Sequence, residues 1–263
     1  MCGRFNLSTP ADVLARAFGL IDIPHLEPRF NIAPTQAVLV VILRSPPGNR
    51  NSSESKRIAQ FMHWGLIPHW AKDPSIGNRM INARCETLAE KPAFRHAFKR
   101  RRCLIPANGF YEWKKLDPDE KIRFGYPSNG AIKQPVNIKT ADKQPFAFAG
   151  LWEHWENSKG TGSEIDSCTI ITTNANDLLK PIHDRMPVIV KPDNYDRWLD
   201  CSDENLHKHN PDFFSNIFRP FPSEEMVMHF VARKMNDVRF DHPECITPIN
   251  ANNGDTIGGL FQS

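Results

Sequence analysis

The chain has 263 residues, of which 40% are hydrophobic and 24% are charged, so its composition is that of a globular protein and excludes a disordered or fibrous one. Its formal net charge of +3 is mildly basic, which permits an anionic partner without requiring one. No apolar run approaches the ~20 residues of a membrane span and the start lacks the apolar segment of a signal peptide, so we expect a cytoplasmic protein with no membrane partner.

A helix is the first predicted element in chain order. Thr9 is a suitable N-cap, Pro10 fits the first helical position and Gly19 can end the helix. We expect one apolar face of this helix to be buried, made by Val13, Leu14, Ala17 and Phe18.

Most of the chain after this helix predicts short β-strands. The apolar and β-branched run 37–43 indicates a buried strand, and residues 57–64 can return beside it as the second strand of a hairpin. Further strands are predicted over 103–105, 110–114, 136–140, 146–152, 167–173 and 226–232. Short helices are predicted over 93–98, 193–200 and 202–208, and a long loop over 67–82.

This order of elements predicts an α+β fold, because the helices are interspersed irregularly among the strands instead of alternating with them. The length suffices for one large domain or two small ones, and the polar residues 251–263 predict a frayed C-terminal tail. The 6 cysteines include no close pair, which favours free thiols over a disulfide framework in a cytosolic chain.

Cys2 follows the initiator Met1 and has the most distinctive chemistry of any residue in the chain. Aminopeptidases commonly remove Met before a residue as small as cysteine, and the chain would then begin with an amine and a thiol on one residue. The amine can condense with an aldehyde to a Schiff base, after which the thiol can close a thiazolidine ring. Two nucleophiles on one carbon frame react with a high effective molarity.

Several motifs, taken together and in order, resemble those of a known family. After Met1-Cys2-Gly3-Arg4 the chain contains RFNIAPT at 29–35, WGLIPHW at 64–70, NRMINARCET at 78–87, GFYEWK at 109–114 and IHDRMP at 182–187. In this combination the chain closely resembles the SRAP family, the "SOS response-associated peptidase" proteins. The resemblance runs from Cys2 to about residue 187, and more weakly to about residue 248.

The resemblance implies both a fold and a function. The fold is a single compact SRAP-type domain over residues 1–250, with a barrel-like, mainly antiparallel β core and peripheral helices. The function is that of a sensor of abasic sites in single-stranded DNA, which links Cys2 to the damaged sugar through a thiazolidine and shields the lesion during the DNA damage response. Such a protein would work at the nucleoid of a bacterium or in the nucleus of a eukaryote. We expect a monomer that needs no cofactor.

The predicted catalytic residues are Cys2, Asn82, Glu112 and His183. In a strand, Glu112 and Phe110 share one face, and a partly buried Glu with a raised pKa can move protons, whereas an outward Glu is the commoner situation in general. His183 can act as an acid or a base near pH 7, and Asn82 can hydrogen-bond a hydroxyl or a phosphate oxygen. The resemblance places Glu112 beside Cys2 and gives His183 acid–base work on the sugar ring and the Schiff base.

The predicted DNA-binding residues are Arg4, Pro34, Trp70, Arg84 and Arg185. A guanidinium offers a planar fork to phosphate, and the resemblance supports DNA contact by all three arginines, although Arg4 can equally brace the terminus. Trp70 and Pro34 resemble the family's wedge and stacking residues, and an aromatic face stacks on any base. Ala71 stands where some members have a second Trp, which weakens the predicted stacking.

Other functions and sites compete with this interpretation. An N-terminal Cys with its own amine as base can also act as a peptidase, whose certain substrate would be Met1 alone. A non-catalytic reader of modified DNA is the third hypothesis, and a Schiff base that fails to close its ring could cleave the strand as a lyase does.

No metal site is predicted. The candidate ligands Cys201, His207, His209, His242 and Cys245 lack the spacing of zinc ligands. No local signature makes Cys85 a protease nucleophile.

Overall fold

The computed structural model describes residues 2–44, 55–127, 129–157, 162–202 and 211–249. The strands in these ranges are β1 (Phe5–Leu7), β2 (Arg29–Ile32), β3 (Ala37–Arg44), β4 (Lys56–Trp64), β5 (Asn82–Arg84), β6 (Arg102–Ala107), β7 (Gly109–Lys115), β8 (Lys133–Thr140), β9 (Phe146–Glu156), β10 (Glu164–Asn174), β11 (Arg185–Pro187), β12 (Ile189–Val190) and β13 (Met226–Phe230). The α-helices are α1 (Ala11–Phe18), α2 (Arg95–Arg100), α3 (Pro118–Arg123), α4 (Tyr195–Leu199) and α5 (Pro211–Ile217). Short 3₁₀ helices span Pro74–Arg79, Cys85–Thr87, Pro192–Asn194, Ser223–Glu225, Arg233–Asn236 and Pro243–Ile246.

Five strands close into a barrel around the main hydrophobic core. β3 pairs antiparallel with β4 and β6, β6 with β9, and β9 with β10. β10 then pairs in parallel with β4, through Ser167 and Cys168, and this pairing completes the ring. Closure leaves these strands without a free edge, and their apolar side chains form one cluster of buried residues. The predicted α+β class and barrel-like, mainly antiparallel core are confirmed.

A second sheet carries the start of the chain. Its strand order is β13-β8-β7-β1-β2, so β1 lies between β2 and β7. Phe5 of β1 pairs with Phe110 of β7 and with Ile32 of β2. The Phe5 ring also packs edge-on against Trp64 and Phe148, with ring centroids 5.1 Å and 5.7 Å away. These aromatic contacts fix the first strand onto the barrel.

The segment after β13 covers the outer face of this sheet. The side chain of Tyr111 packs there with Val231, Met235 and Cys245. Asn31 is fully buried, and its amide nitrogen donates to the carbonyl oxygens of Met235, Asp237 and Phe240 at 3.0, 3.0 and 2.8 Å. The sheet is therefore buried on both faces near its first strand.

Most of the predicted strands are confirmed with changed bounds. The longer ones correspond to β3, β4, β6, β7, β8, β9, β10 and β13. The sequence pattern does not predict the two- to four-residue strands β1, β2, β5, β11 and β12. Strands this short form because a longer neighbour offers them a pairing edge, and their own alternation of apolar residues is too brief to indicate them.

The first helix begins later than predicted. Thr9 is not its N-cap, because the side chain of Asn108 holds both the backbone nitrogen and the hydroxyl of Thr9, at 3.0 and 2.6 Å. The carbonyl of Pro10 starts the helix instead, accepting from the backbone nitrogens of Val13 and Leu14 at 3.1 and 3.0 Å. Gly19 ends the helix in the left-handed conformation, as predicted, with φ 62°.

The other helices differ from the predictions in smaller ways. The buried face of α1 is narrower than predicted, since Ala17 is exposed and Val13 is only half-buried. The polar excursion after β7 contains α3, which Asp117 begins with a capping box. The predicted helix over 202–208 and the tail over 251–263 lie outside the described residues, apart from Ser202. Within the described ranges, no helix has the length and apolar character that crossing a bilayer requires.

Candidate active site

Cys2 lies against β7 because residues 2–4 continue the path of β1. The backbone nitrogen of Tyr111 donates to the carbonyl of Arg4 at 2.9 Å, which extends the pairing of β1 with β7 beyond Phe5. Since the two strands are antiparallel, continuing this register places Gly3 opposite Glu112, and the charge of Glu112 acts on the neighbouring Cys2. The side chain of Cys2 is fully buried.

Asn82 also holds Cys2 in place. Its Nδ2 donates to the carbonyl oxygen of Cys2 at 2.8 Å. Asn82 begins β5, which pairs in parallel with β10 of the barrel. The loop that precedes it is closed at its base, where the nitrogen of Leu66 donates to the carbonyl of Met80 at 3.1 Å. The barrel thus fixes the position of the amide that binds residue 2.

Glu112 is buried, and its charge acts on Cys2. It shares its face of β7 with Phe110, as predicted, while Tyr111 and Trp113 pack on the other face. Burial raises the pKa of Glu112 to about 7, so the carboxyl group is close to half protonated at neutral pH. Burial, and secondly the charge of Glu112, raise the pKa of the Cys2 thiol, which is therefore protonated at neutral pH.

His183 lies in the loop that joins β10 to β11. The nitrogen of Ala175 donates to the carbonyl of Asp184 at 2.9 Å and closes this loop. The Nδ1 atom of His183 accepts from the backbone nitrogen of Arg185 at 2.9 Å and lies 2.9 Å from the Oδ1 of Asp184. Burial lowers the pKa of His183, so the neutral form dominates at pH 7.

Two of the three predicted DNA-binding arginines are buried and engaged inside the protein. Arg4 donates from Nη1 to the Oδ1 of Asn31 at 2.6 Å and to the carbonyl of Met235 at 3.0 Å. Arg185 forms a two-pronged pair with the carboxylate of Glu86, at 2.6 and 2.9 Å. Arg185 also donates to the carbonyl of Thr172 at 2.7 Å. In this geometry both guanidinium groups hold protein segments together.

The predicted DNA-binding residues Arg84, Trp70 and Pro34 reach the surface. Arg84 is exposed on β5 on the same side as Asn82. Within the described ranges, no ion pair or hydrogen bond engages the side chain of Arg84. The side chain of Trp70 is 51% exposed, an unusual state for such a large aromatic residue. Pro34 is half-buried in a turn that the nitrogen of Thr35 fastens to the carbonyl of Trp64 at 2.9 Å. This turn therefore lies at the start of the loop that bears Trp70.

The turn that presents Trp70 is anchored by Trp155 and Glu153, two residues that the sequence analysis does not identify. The nitrogen of Ala71 donates to the carbonyl of Pro68 at 2.8 Å, and the Nε1 of Trp155 donates to the carbonyl of Ala71 at 2.7 Å. The Nδ1 of His69 lies 2.8 Å from the Oε2 of Glu153, a carboxylate that is 1% exposed. The sequence indicates these anchoring residues only weakly, because WGLIPHW and the strand of Glu153 contain polar residues among apolar ones.

The C-terminal group of two cysteines and three histidines lies only partly within the described residues. Cys245 is buried and donates to the carbonyl of Phe240 at 3.2 Å, and His207 and His209 lie outside the described residues. Burial raises the pKa of Cys85, which is the opposite of what a thiolate nucleophile requires.

Comparisons with known proteins match nearly the whole chain. A profile of the family described as "SOS response associated peptidase (SRAP)" matches residues 1–238. Abasic site processing protein YoqW of Bacillus subtilis is 40% identical over 249 residues, covering 94% of this chain and 99% of that protein. Abasic site processing protein HMCES of Xenopus tropicalis is 31% identical over 237 residues, covering 87% of this chain and 68% of that protein. A crystal structure of a Bacteroides thetaiotaomicron protein superposes with a TM-score of 0.73 at 25% identity, covering 94% of this chain and 100% of that one.

The burial of Glu112 predicts a pH-dependent effect of the substitution Glu112→Gln on stability. Because the pKa is about 7 in the folded chain and 4.5 in the unfolded chain, the folded state binds more protons between these values, and wild type loses stability as pH rises through them. The variant does not lose stability in this way. The free energy of unfolding of the variant minus that of wild type should therefore rise between pH 4.5 and 7 by on the order of 3 kcal/mol, since each pKa unit is worth ~1.4 kcal/mol.

Urea denaturation at pH 4.5, 6 and 8 measures this difference, with exposed Glu90→Gln as the control. The control should show no such trend. A difference between Glu112→Gln and wild type that stays constant over the three pH values would mean that Glu112 is solvated.

Proposed function

The chain belongs to the SOS response associated peptidase (SRAP) family, and from this premise we propose that it recognises abasic sites in single-stranded DNA and links Cys2 covalently to them. Relatives named abasic site processing proteins support the class of substrate. The observation that carries the chemistry is the convergence of Asn82 and Glu112 on residue 2. No internal cysteine offers an amine and a thiol together, so the proposed reaction needs Cys2 as the first residue.

The reaction begins with removal of Met1, which frees the amine of Cys2. An abasic sugar is in equilibrium with an open form that carries an aldehyde. The neutral amine attacks the aldehyde carbon and forms a carbinolamine, which takes up one proton and loses water to give a protonated Schiff base. The hydrogen bond from Asn82 to the Cys2 carbonyl, 2.8 Å long, keeps residue 2 from rotating during the attack.

Ring closure follows within the same residue. The Cys2 sulfur adds to the carbon of the Schiff base, the C=N bond becomes a single bond, and the thiol proton leaves. The sum of the steps is aldehyde plus aminothiol giving thiazolidine plus one water. The raised pKa of the thiol delays this step until the positive Schiff base stands beside the sulfur and makes the proton easier to lose.

We assign different proton transfers to Glu112 and His183. Glu112, with a pKa of about 7, exchanges protons readily at neutral pH and lies beside residue 2, so it takes the proton from the attacking amine. We assign the proton of neutral His183 to Nε2, because Nδ1 accepts from the nitrogen of Arg185 at 2.9 Å. That Nε2–H group can donate to the ring oxygen of the closed sugar and favour the open aldehyde.

The surface residues supply the contact with DNA in this proposal. Arg84 is exposed on the same side of β5 as Asn82, so a phosphate bound to Arg84 would lie near the sugar that meets Cys2. The half-exposed Trp70 and the Pro34 turn can stack on bases next to the lesion, which requires an unpaired strand. The linked protein would then shield the lesion from nucleases and from β-elimination.

The same chemistry includes two further activities. A Schiff base that does not close its ring promotes β-elimination and strand cleavage, which is a lyase reaction. The thiol of Cys2, beside the Glu112 carboxyl group, also suits hydrolysis of the Met1–Cys2 peptide bond by attack on the Met1 carbonyl and release of the acyl group to water. We propose both as secondary to the covalent link, because the crosslink alone uses the amine and the thiol of Cys2 together.

The covalent mechanism predicts different fates for three cysteine variants. Cys2→Ala should lose the heat-stable adduct with an abasic oligonucleotide but still form a Schiff base, because the amine of residue 2 remains. Borohydride reduction should therefore trap a product from this variant. Cys85→Ala and Cys201→Ala should keep the heat-stable adduct, since both are internal thiols. Denaturing gels with and without reduction measure all four outcomes, and a heat-stable adduct from Cys2→Ala would exclude a thiazolidine.

Because Arg84 is exposed and Arg185 is paired with Glu86, we expect their alanine variants to differ in the salt dependence of DNA binding. Arg84→Ala should flatten the dependence of single-stranded DNA binding on log salt by about 0.7, the value for one lost phosphate contact. Arg185→Ala should change the slope less, because Glu86 already pairs with this guanidinium. Fluorescence anisotropy with unmodified single-stranded DNA at several salt concentrations measures both slopes. An equal loss in both variants would mean that Glu86 releases Arg185 to DNA, and an unchanged slope for Arg84→Ala would remove it from the backbone contacts.

Because we assign different proton transfers to Glu112 and His183, we expect their variants to differ in rate between a closed-ring sugar and an open-chain aldehyde. Glu112→Gln and His183→Ala should both slow linkage to an abasic sugar, by roughly 100-fold for the loss of one proton shuttle. With a substrate fixed as an open-chain aldehyde, His183→Ala should regain much of its rate, because ring opening is no longer needed, and Glu112→Gln should not. Equal defects on both substrates, measured as time courses of adduct formation, would mean that the roles are divided wrongly.

A further inference from the structure

Three side chains from separate elements meet beside the turn that presents Trp70, and we propose that His69, His96 and Glu153 form a binding site for a divalent transition-metal ion of the zinc class. His69 belongs to the turn itself, His96 to α2 and Glu153 to β9. One ligand atom from each lies within 4.8 Å of the other two. Two imidazoles and a carboxylate are a donor set that zinc and its neighbours bind well.

The distances suit a tetrahedral ion with little rearrangement. Zinc binds imidazole nitrogen and carboxylate oxygen at about 2.0–2.2 Å, which places neighbouring ligand atoms about 3.3 Å apart in a tetrahedron. The Oε2 atom of Glu153 lies 2.8 Å from the Nδ1 of His69 and 3.5 Å from the Nδ1 of His96. The two imidazole rings have centroids 5.1 Å apart and are tilted by 60°, so they face the same space without stacking.

The accessibility of the three ligands also fits a metal site with an open position. The side chains of His69 and His96 are 51% and 49% exposed, so an ion can enter and small ring rotations cost little. The Glu153 side chain is only 1% exposed, which fixes the anionic ligand in place. Three protein ligands leave one tetrahedral position open to water.

Arg101 completes the surroundings of the carboxylate without occupying the oxygen that faces the histidines. Its guanidinium contacts the Oε1 of Glu153, and it lies over the ring of Trp152 at 5.3 Å from the centroid. A partner of this kind orients a ligating carboxylate, as outer-shell groups do in known metal sites. Its positive charge also disfavours ions held by charge alone, so the site should prefer zinc-class ions, which imidazole nitrogen binds strongly, over magnesium or calcium.

A second group in the described ranges also brings potential ligand atoms together, and it serves as an internal comparison. It consists of His154, Glu156 and Glu164. Only one of these is a nitrogen ligand, both carboxylates are exposed, and the Nδ1 of His154 is already 2.7 Å from the Oδ1 of Asp166. The group therefore lacks the buried anion and the second imidazole that make the first group suitable.

Metal binding would stiffen the turn that carries Trp70. The turn is now held to the barrel by the Nε1 of Trp155, which donates to the carbonyl of Ala71, and by the contact of His69 with Glu153. An ion would replace the second contact with coordinate bonds to both α2 and β9. The site does not depend on the proposed DNA chemistry, and it can be present whether or not Cys2 reacts.

The test measures zinc binding directly in chains that carry Cys2→Ala, so that a free N-terminal aminothiol cannot chelate the metal. Isothermal titration with zinc chloride should give one strong site in this parent chain. His69→Gln and His96→Gln should each weaken that site by about 100-fold or more, because even the loss of an outer-shell partner costs about 10- to 100-fold in metal affinity. His154→Gln is the matched control and should leave the site unchanged.

A second readout separates loss of the ligand from loss of the fold. Zinc should raise the melting temperature of the parent chain and of His154→Gln, but not that of His69→Gln or His96→Gln, while all four chains should show the same circular dichroism without metal. The proposal fails if the parent binds no zinc, if His154→Gln abolishes binding, or if either His69→Gln or His96→Gln binds zinc as the parent does.

Discussion

The placement of residue 2 depends on the antiparallel pairing of β1 with β7. The hydrogen bond from Tyr111 to Arg4, 2.9 Å long, continues that pairing to the start of the chain. A terminal residue is ordinarily frayed, because it has few neighbours to offset the entropy lost on ordering it. Here β2 and β7 flank the first strand, Phe5 locks it to the barrel, and Asn82 binds the carbonyl of Cys2. The terminus can therefore act as a preorganised reactive group.

The polar groups around this terminus are arranged at a cost to stability. A buried Glu112 with a pKa of about 7 destabilises the folded chain above that pH, and an apolar residue would avoid the loss. Arg4 and Arg185 are also nearly buried, and each is held by specific hydrogen bonds. The two arginines hold segments of the protein together, whereas the perturbed Glu112 acts on Cys2 and is the group that fits a catalytic site.

The sequence predicts the class of fold and the shared face of Phe110 and Glu112, because both follow from local alternation along strands. Periodicity alone does not predict barrel closure, which the family resemblance implies, because closure depends on the parallel contact of β10 with β4 between distant segments. It also misses the burial of Arg185, because Glu86 reaches that guanidinium only after β10 and β11 have paired. The sequence does not predict the cluster of His69, His96 and Glu153 either, because its three residues come from three elements without a characteristic spacing.

The central claim is that the amine and the thiol of Cys2 react together with one aldehyde, and intact mass spectrometry tests it most directly. The wild-type chain would be incubated with a single-stranded oligonucleotide that contains one abasic site. The account predicts one product: the chain without Met1 plus the oligonucleotide minus one water, with a mass that borohydride treatment does not change. A product that retains Met1, a mass that rises by two hydrogens on reduction, or no product at all from a chain that lacks Met1 would contradict it.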